Sequence, residues 1–135
     1  MSVHVWERGP SDAEFLHTAR QLHIEMIRKA VKFPKRFTFY VSQDMAQTAS
    51  NIHKFIVRGN SIHPQNQHEA QMRRDMFIKA GIECRALNSL LETAGEMFVI
   101  QPSDKFKLCS LIAREINLIK GEMKSAKQRY KNLPA

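Results

Sequence analysis

Lys120, Lys124, Lys127 and Lys131 recur at alternating steps of four and three. That spacing sets them along one side of an α-helix as a cationic stripe. Such a stripe supports one kind of chemistry, the holding of polyanions by ammonium groups acting as point charges on phosphates. From residue 119 onward there are five basic residues and one acidic one. Lys54 and Arg58 make a second basic pair one helical turn apart, and Arg73-Arg74 a third.

Other chemistry finds little support. A di-iron bundle needs two Glu-x-x-His motifs and two further inward carboxylates. Glu14-x-x-His17 is the single match, and Glu14 is already explained as half of a capping box with Ser11. No Cys-x-x-Cys or His-Glu-x-x-His spacing suggests a metal, and no glycine loop or nucleophile elbow suggests a phosphate site or an acyl-transfer enzyme. The six histidines are scattered singly. The residues therefore point to a non-enzymatic protein with no metal and no cofactor.

The elements that must carry these cations read as four amphipathic helices. The first begins at the Ser11 cap, uses Phe15, Ala19, Leu22, Met26 and Ala30 as its apolar seam, and ends at Phe33-Pro34, where a residue before proline leaves the α region. The second spans roughly Phe37 to Arg58. Its apolar side is Tyr40 or Val41, then Met45, Ala49, Ile52 and Ile56, and Gly59-Asn60 reads as a C-terminal stop of residues that tolerate positive φ. Ser61 to Gln67 is the longest connection and the expected site of mobility. The third helix spans about His68 to Phe98 on a seam of Phe77, Ala80, Cys84, Leu87, Leu91, Ala94 and Phe98. The fourth runs from Ser103 to about Lys131, capped by Pro102-Ser103-Asp104, with Cys109, Ile112, Ile116, Ile119, Met123, Ala126 and Tyr130 as its seam.

Four such helices with mostly short links predict an all-α, antiparallel up-down-up-down four-helix bundle over residues 11–131. Residues 1–10 form an N-terminal extension and 132–135 a tail. Cys84 and Cys109 fall on the seams of consecutive helices. An antiparallel pairing offsets them by about eight residues, or about 12 Å, too far for a disulfide. They are expected as structural thiols. The apolar faces of the first, third and fourth helices are wide, with Leu16, Ile27, Met76, Ile82, Leu90, Leu108, Leu111 and Leu118 flanking the seams. Two readings are open for them, a broad core or a protomer–protomer surface.

A net charge of +8 over 135 residues and a pI near 9.8 favour a polyanionic partner. The N-terminus contains Glu7 and Arg8 without an apolar core, so it does not read as a signal peptide. No apolar run approaches the roughly 20 residues that span a bilayer. A cytoplasmic protein with no membrane contact is expected, since the lysine stripe is not paired with the exposed aromatics that membrane adsorption needs.

An up-down-up-down arrangement brings the end of the second helix, the start of the third and the end of the fourth to one pole. Lys54, Arg58, Arg73, Arg74, Lys120, Lys124, Lys127 and Lys131 are the candidate nucleic-acid-binding residues there. Basic residues in closing turns also complement the helix dipole. That argument does not cover Arg73 and Arg74, which open a helix, and Arg73 lies on the seam line extended from Phe77. A solvated face is the alternative. Phosphate contacts would dominate binding here, giving weak sequence preference and steep salt dependence.

Phe33-Pro34-Lys35 after the first helix and Ile56-x-x-Gly59-Asn60 closing the second resemble the four-helix-bundle proteins first noticed in intervening sequences of large-subunit ribosomal RNA genes. Arg73-Arg74 and Glu115-x-x-x-Ile119-Lys120-Gly121, followed by Lys124-Ser125, are similar to one branch of them, the accessory variability determinant (Avd) proteins of diversity-generating retroelements. The resemblance runs from about Phe15 to Lys131, and departs from the commoner pattern between Asn60 and Glu69, where His63, Pro64 and His68 occur. It implies a homo-oligomer, a pentamer, that is non-catalytic and binds RNA or DNA. Such a protein assists a reverse transcriptase in making error-prone complementary DNA. Of the basic residues, the resemblance nominates Arg73, Arg74, Lys120 and Lys124. A structural or protein-interaction bundle with no nucleic-acid role is the competing expectation.

Overall fold

The computed structural model describes residues 10–135, with side chains from Glu14 onward. The 1–10 extension and the Ser11 half of the expected capping box lie outside those residues, apart from the backbone of 10–13. All regular structure among the described residues is helical: α1 (Pro10–Ala30), α2 (Gln43–Asn60), α3 (Gln67–Met97) and α4 (Pro102–Arg129). Each helix packs along two others, α1 on α2 and α4, and α3 on α2 and α4, so the four close around one core.

The seams of α1 and α3 are buried as their spacing predicts, except that Phe98 lies just beyond the end of α3 and is half-buried. Phe15, Ala19, Leu22, Met26 and Ala30 face Phe77, Ala80, Cys84, Leu87, Leu91 and Ala94 in a single cluster. The Phe15 ring meets the Phe77 ring edge-on at a centroid distance of 5.6 Å. In α2, Met45, Ala49, Ile52 and Ile56 are buried. Val41 packs against the core, and Tyr40 stands 82% exposed.

The α4 seam is displaced from the predicted line. Its buried residues are Leu108, Leu111, Ile112, Glu115, Ile119 and Glu122, a line centred roughly 60° from the predicted seam. It keeps Ile112 and Ile119 but not Cys109, Ile116, Met123 and Ala126. Those four are only half-buried. The rotation arises because two core positions are glutamates, which a count of apolar spacing passes over. It also decides two of the flanking leucines. Leu108 and Leu111 belong to the core and Leu118 packs against it, whereas Ile27 and Ile82 stay exposed.

Helix ends differ from expectation for local reasons. α1 stops at Ala30, and the Lys32 and Phe33 N–H groups close the end by donating to Lys29 and Ala30 carbonyls. α2 is preceded by a 3₁₀ turn (Lys35–Phe37) and a π turn (Thr38–Ser42) instead of starting at Phe37. Gly59 stays helical with no positive φ, so its role is packing and not a stop. A Cβ there would come within 2.8 Å of Phe77 Cε1 and 3.1 Å of Met76 Cβ.

α3 opens on Asn66, whose side chain accepts from the Glu69 N–H at 2.9 Å, while Glu69 accepts from the Gln65 N–H at 2.7 Å. With Pro64 buried and the Ser61 hydroxyl donating to the Val57 carbonyl, the connection expected to be mobile is pinned at both ends. α4 has Pro102 at its first position and no side-chain cap. Asp104 sits in the first turn but is engaged by Lys29 and Lys32 from the end of α1.

Candidate nucleic-acid interface

Gln67, the first residue of α3, fastens the end of α4 to the start of α3. Its side-chain amide donates to the Tyr130 carbonyl at 2.8 Å and the Leu133 carbonyl at 3.1 Å, and its backbone N–H to the Pro134 carbonyl at 2.8 Å. Gly59 against Phe77 brings the end of α2 to the same region. Glu122, fully buried on α4, is met there by two guanidinium groups through a single oxygen, Arg73 at 2.8 Å and Arg129 at 2.6 Å. Arg73 is only 5% exposed, and its guanidinium lies over the Phe77 ring at 4.6 Å and the Tyr130 ring at 5.6 Å.

Between α3 and α4 this leaves a cleft of about 420 Å³. Phe77, Met123, Ala126, Tyr130 and Arg73 form its walls, with Arg74, Lys127 and Lys131 beside them. No carboxylate lines it.

No protein-family model, curated protein or solved structure matches this chain.

Of the eight candidate residues, the structure draws four around the cleft, Arg73, Arg74, Lys127 and Lys131. Arg73 is corrected from a surface contact to a buried structural cation, because its charge is spent on Glu122. Lys120 and Lys124 continue the exposed stripe up α4. Lys54 and Arg58 sit elsewhere. Lys54 is close enough to His23 to lower that residue's pKa, which puts it on the α1–α2 side. Arg58 lies over the Phe55 ring at 5.9 Å, with Lys79 Nζ at the same distance from it, which puts it on the α2–α3 side. Lys79 was not a candidate by spacing, since it stands alone on its helix face. Gln67 gave no signal at all, because its role is created by residues more than sixty positions away.

Charge compensation is uneven. At the other end Glu25 takes Arg28, Lys29 and Lys107, and Asp104 takes Lys29 and Lys32. Burial alone would raise the Glu25 pKa, but hydrogen bonds and charges from Lys29 and Lys107 outweigh it and hold it low. Lys54, Arg58, Arg74, Lys120, Lys124, Lys127 and Lys131 have no ion-pair partner among the described residues. Lys35, Arg36 and Lys105, near the other end, also lack an ion-pair partner among the described residues.

Other titratable groups lie apart from this region. His23 and His53 approach across α1 and α2 with Nδ1 atoms 3.0 Å apart. Burial, and then Lys54 for His23 and His23 with Arg20 for His53, lower both pKa values. Cys84 and Cys109 are free thiols, and burial pushes Cys84 up to about 12, which makes it inert. Glu115 is fully buried with neither oxygen hydrogen-bonded, and burial raises its pKa to about 8. Among the described residues no three His, Cys, Asp or Glu side chains are grouped to hold a metal ion. No helix there is long and apolar enough to cross a membrane.

Proposed function

We propose that this chain is a non-catalytic nucleic-acid-binding accessory protein, an antiparallel up-down-up-down four-helix bundle that contacts phosphates with its basic pole. The observation that supports this most is the set of cations along α4 and the start of α3. Arg74, Lys120, Lys124, Lys127 and Lys131 are exposed and without an ion-pair partner among the described residues, and no carboxylate lines the cleft beside them. Unpaired cations on rigid helices can release counterions from a polyanion without first breaking internal bridges. On the resemblance to the accessory variability determinant proteins, we propose further that it acts in the cytoplasm as a homo-oligomer, a pentamer. Its partners would be a retroelement reverse transcriptase and that enzyme's template RNA or complementary DNA.

The test is retardation of structured RNA by the purified protein. With about five phosphate contacts, affinity should fall about 10²- to 10³-fold between about 50 and 200 mM salt. Charge reversal at Arg74, Lys124 and Lys127 together should abolish retardation at the higher salt. Arg73 is unsuitable for that test, since reversing it places two buried carboxylates together. Retardation that ignores both salt and reversal would remove the basic pole from the reading.

A protein-interaction bundle with no nucleic-acid role is the second reading, and one observation favours it. The segments around the other end leave Val31, Phe39, Tyr40, Val99 and Phe106 at least 74% exposed, beside the Phe33–Phe98–Phe37 ring cluster. Exposed apolar groups gathered in this way suit a protein contact. Retardation of RNA separates the two readings, and light scattering at micromolar concentration tests self-association in either, a monomer mass ending the proposal of a homo-oligomer.

A further inference from the structure

The basic pole is more than a charged surface, because it contains a cleft that a phosphate-only contact does not use. We infer that the cleft between the start of α3 and the end of α4 takes one unstacked nucleotide, its base against Tyr130 and Met123 and its phosphates on Arg74, Lys127 and Lys131. This inference rests on the nucleic-acid reading above and names the ligand of that site.

Four properties converge on a nucleotide. The cleft's size, about 420 Å³, falls within the usual range of about 300–1,000 Å³ for small-ligand sites. Its walls are apolar and aromatic at the base while every charged group lining it is cationic, the division that a heterocycle attached to a phosphate requires. Arg73 is held in one plane, with Glu122 on one nitrogen and the Phe77 and Tyr130 rings nearby. So fixed and only 5% exposed, it sets a cationic floor behind Tyr130 and leaves Tyr130 and Met123 to meet a base. Finally, Lys120 and Lys124 continue from the cleft along α4. From Lys127 to Lys120 the stripe extends about 10 Å along α4, enough to meet successive phosphates of the strand leaving the site. A groove of positive charge ending in a stacking surface is how unpaired strands are held.

The clamp by Gln67 gives the cleft its rigidity. With Tyr130, Leu133 and Pro134 carbonyls tied to the first residue of α3, the wall carrying Tyr130 is set before any ligand arrives. Paired bases in a duplex cannot enter, so the cleft distinguishes single from double strands. An acidic peptide would satisfy the cations but has no planar group for the Tyr130 side.

The experiment compares the full chain binding a single-stranded oligonucleotide carrying 2-aminopurine with its binding a duplex of equal length, at one salt concentration. The single strand should bind about tenfold more tightly, and the 2-aminopurine emission should change on saturation. Ala126→Trp, which fills the cleft and leaves every lysine in place, should bring the ratio of the two affinities to about one and remove the emission change. Tyr130→Leu should do the same in part, which covers the case in which the tryptophan variant does not fold. Equal affinities and unchanged emission in the wild-type chain would overturn the inference and leave phosphate binding by the pole intact. Failure to bind either nucleic acid would overturn both. Polyglutamate displacing the single strand as effectively as an unlabelled oligonucleotide would assign the cleft to an acidic peptide instead.

Discussion

Glu115 lies on the core line of α4 with no solvent exposure and with both carboxyl oxygens lacking hydrogen bonds. Burial lifts its pKa from the ordinary 4.5 to about 8, so at neutral pH the folded chain holds a proton there that the unfolded chain has released. A carboxyl whose pKa rises on folding costs nothing below about pH 4.5. The cost grows as pH climbs toward 8, because the folded state binds more protons than the unfolded one throughout that window. At 1.36 kcal/mol per unit, the loss accumulated between about pH 5 and pH 8 is on the order of 3 kcal/mol. Glu115→Met keeps the length of the side chain, fits an apolar core and has no proton to lose. It should stabilise the chain by about 1–3 kcal/mol at pH 5, from the unmade hydrogen bonds alone. The gain should widen by about 3 kcal/mol more at pH 8. Urea denaturation of both proteins at the two pH values measures it. Subtracting the curves cancels the titration of every other group. A difference that does not change with pH would refute the assignment of a proton to buried Glu115, and a methionine variant weaker at both values would refute the packing argument as well.

Other substitutions probe separate features. Gly59→Ala should destabilise by about 1–3 kcal/mol, since the new Cβ lies 2.8 Å from a ring carbon of buried Phe77; an unchanged thermal midpoint would mean that the ring gives way freely. Gly95→Ala should stabilise by up to about 1 kcal/mol, because it is helical and a Cβ there meets nothing within 4 Å. The same thermal scan checks it. His23 and His53 both titrate below the ordinary 6.5, so the unfolded chain takes up their protons first. Stability is then full above about pH 6.5 and is lost as pH falls through the lowered values. His53→Asn should shrink the loss seen between about pH 7 and pH 5, and an equal loss in both proteins would place the acid sensitivity elsewhere.

The helices were legible because three- and four-residue apolar spacing survives in every one of them. Where the reading departed from the structure, a polar residue occupied a core position or a contact joined distant parts of the chain. Glu115 and Glu122 made the α4 seam look displaced, since a glutamate on the core line carries no apolar signal. Arg73 lay on the seam line from Phe77, and the meaning of that position depended on Glu122, 49 residues away. Gly59 carries the composition of a helix stop, whereas its requirement comes from the Phe77 ring of the next helix. Of the basic cluster, Arg74, Lys127 and Lys131 came together around the cleft, while Lys54 and Arg58 project from α2 toward other sides. Nothing in the spacing announces the Gln67 clamp or the cleft behind it.

The π turn before α2 makes chain length, and not side-chain identity, the sensitive variable in its neighbourhood. The Gln43 N–H donates to the Thr38 carbonyl, five residues back, where a regular helix would reach four. One residue is therefore surplus, and losing any member of Thr38–Ser42 would let α2 run on as ordinary helix. Everything upstream would then swing by about 100° about the axis. Phe37 would leave its stacked position on Phe98, now at 5.4 Å, and Phe39 and Tyr40 would turn toward different neighbours. Point substitutions at the exposed Thr38, Phe39 and Tyr40 should be borne easily, while single-residue deletions should disconnect the aromatic end of the bundle from the helices that support it.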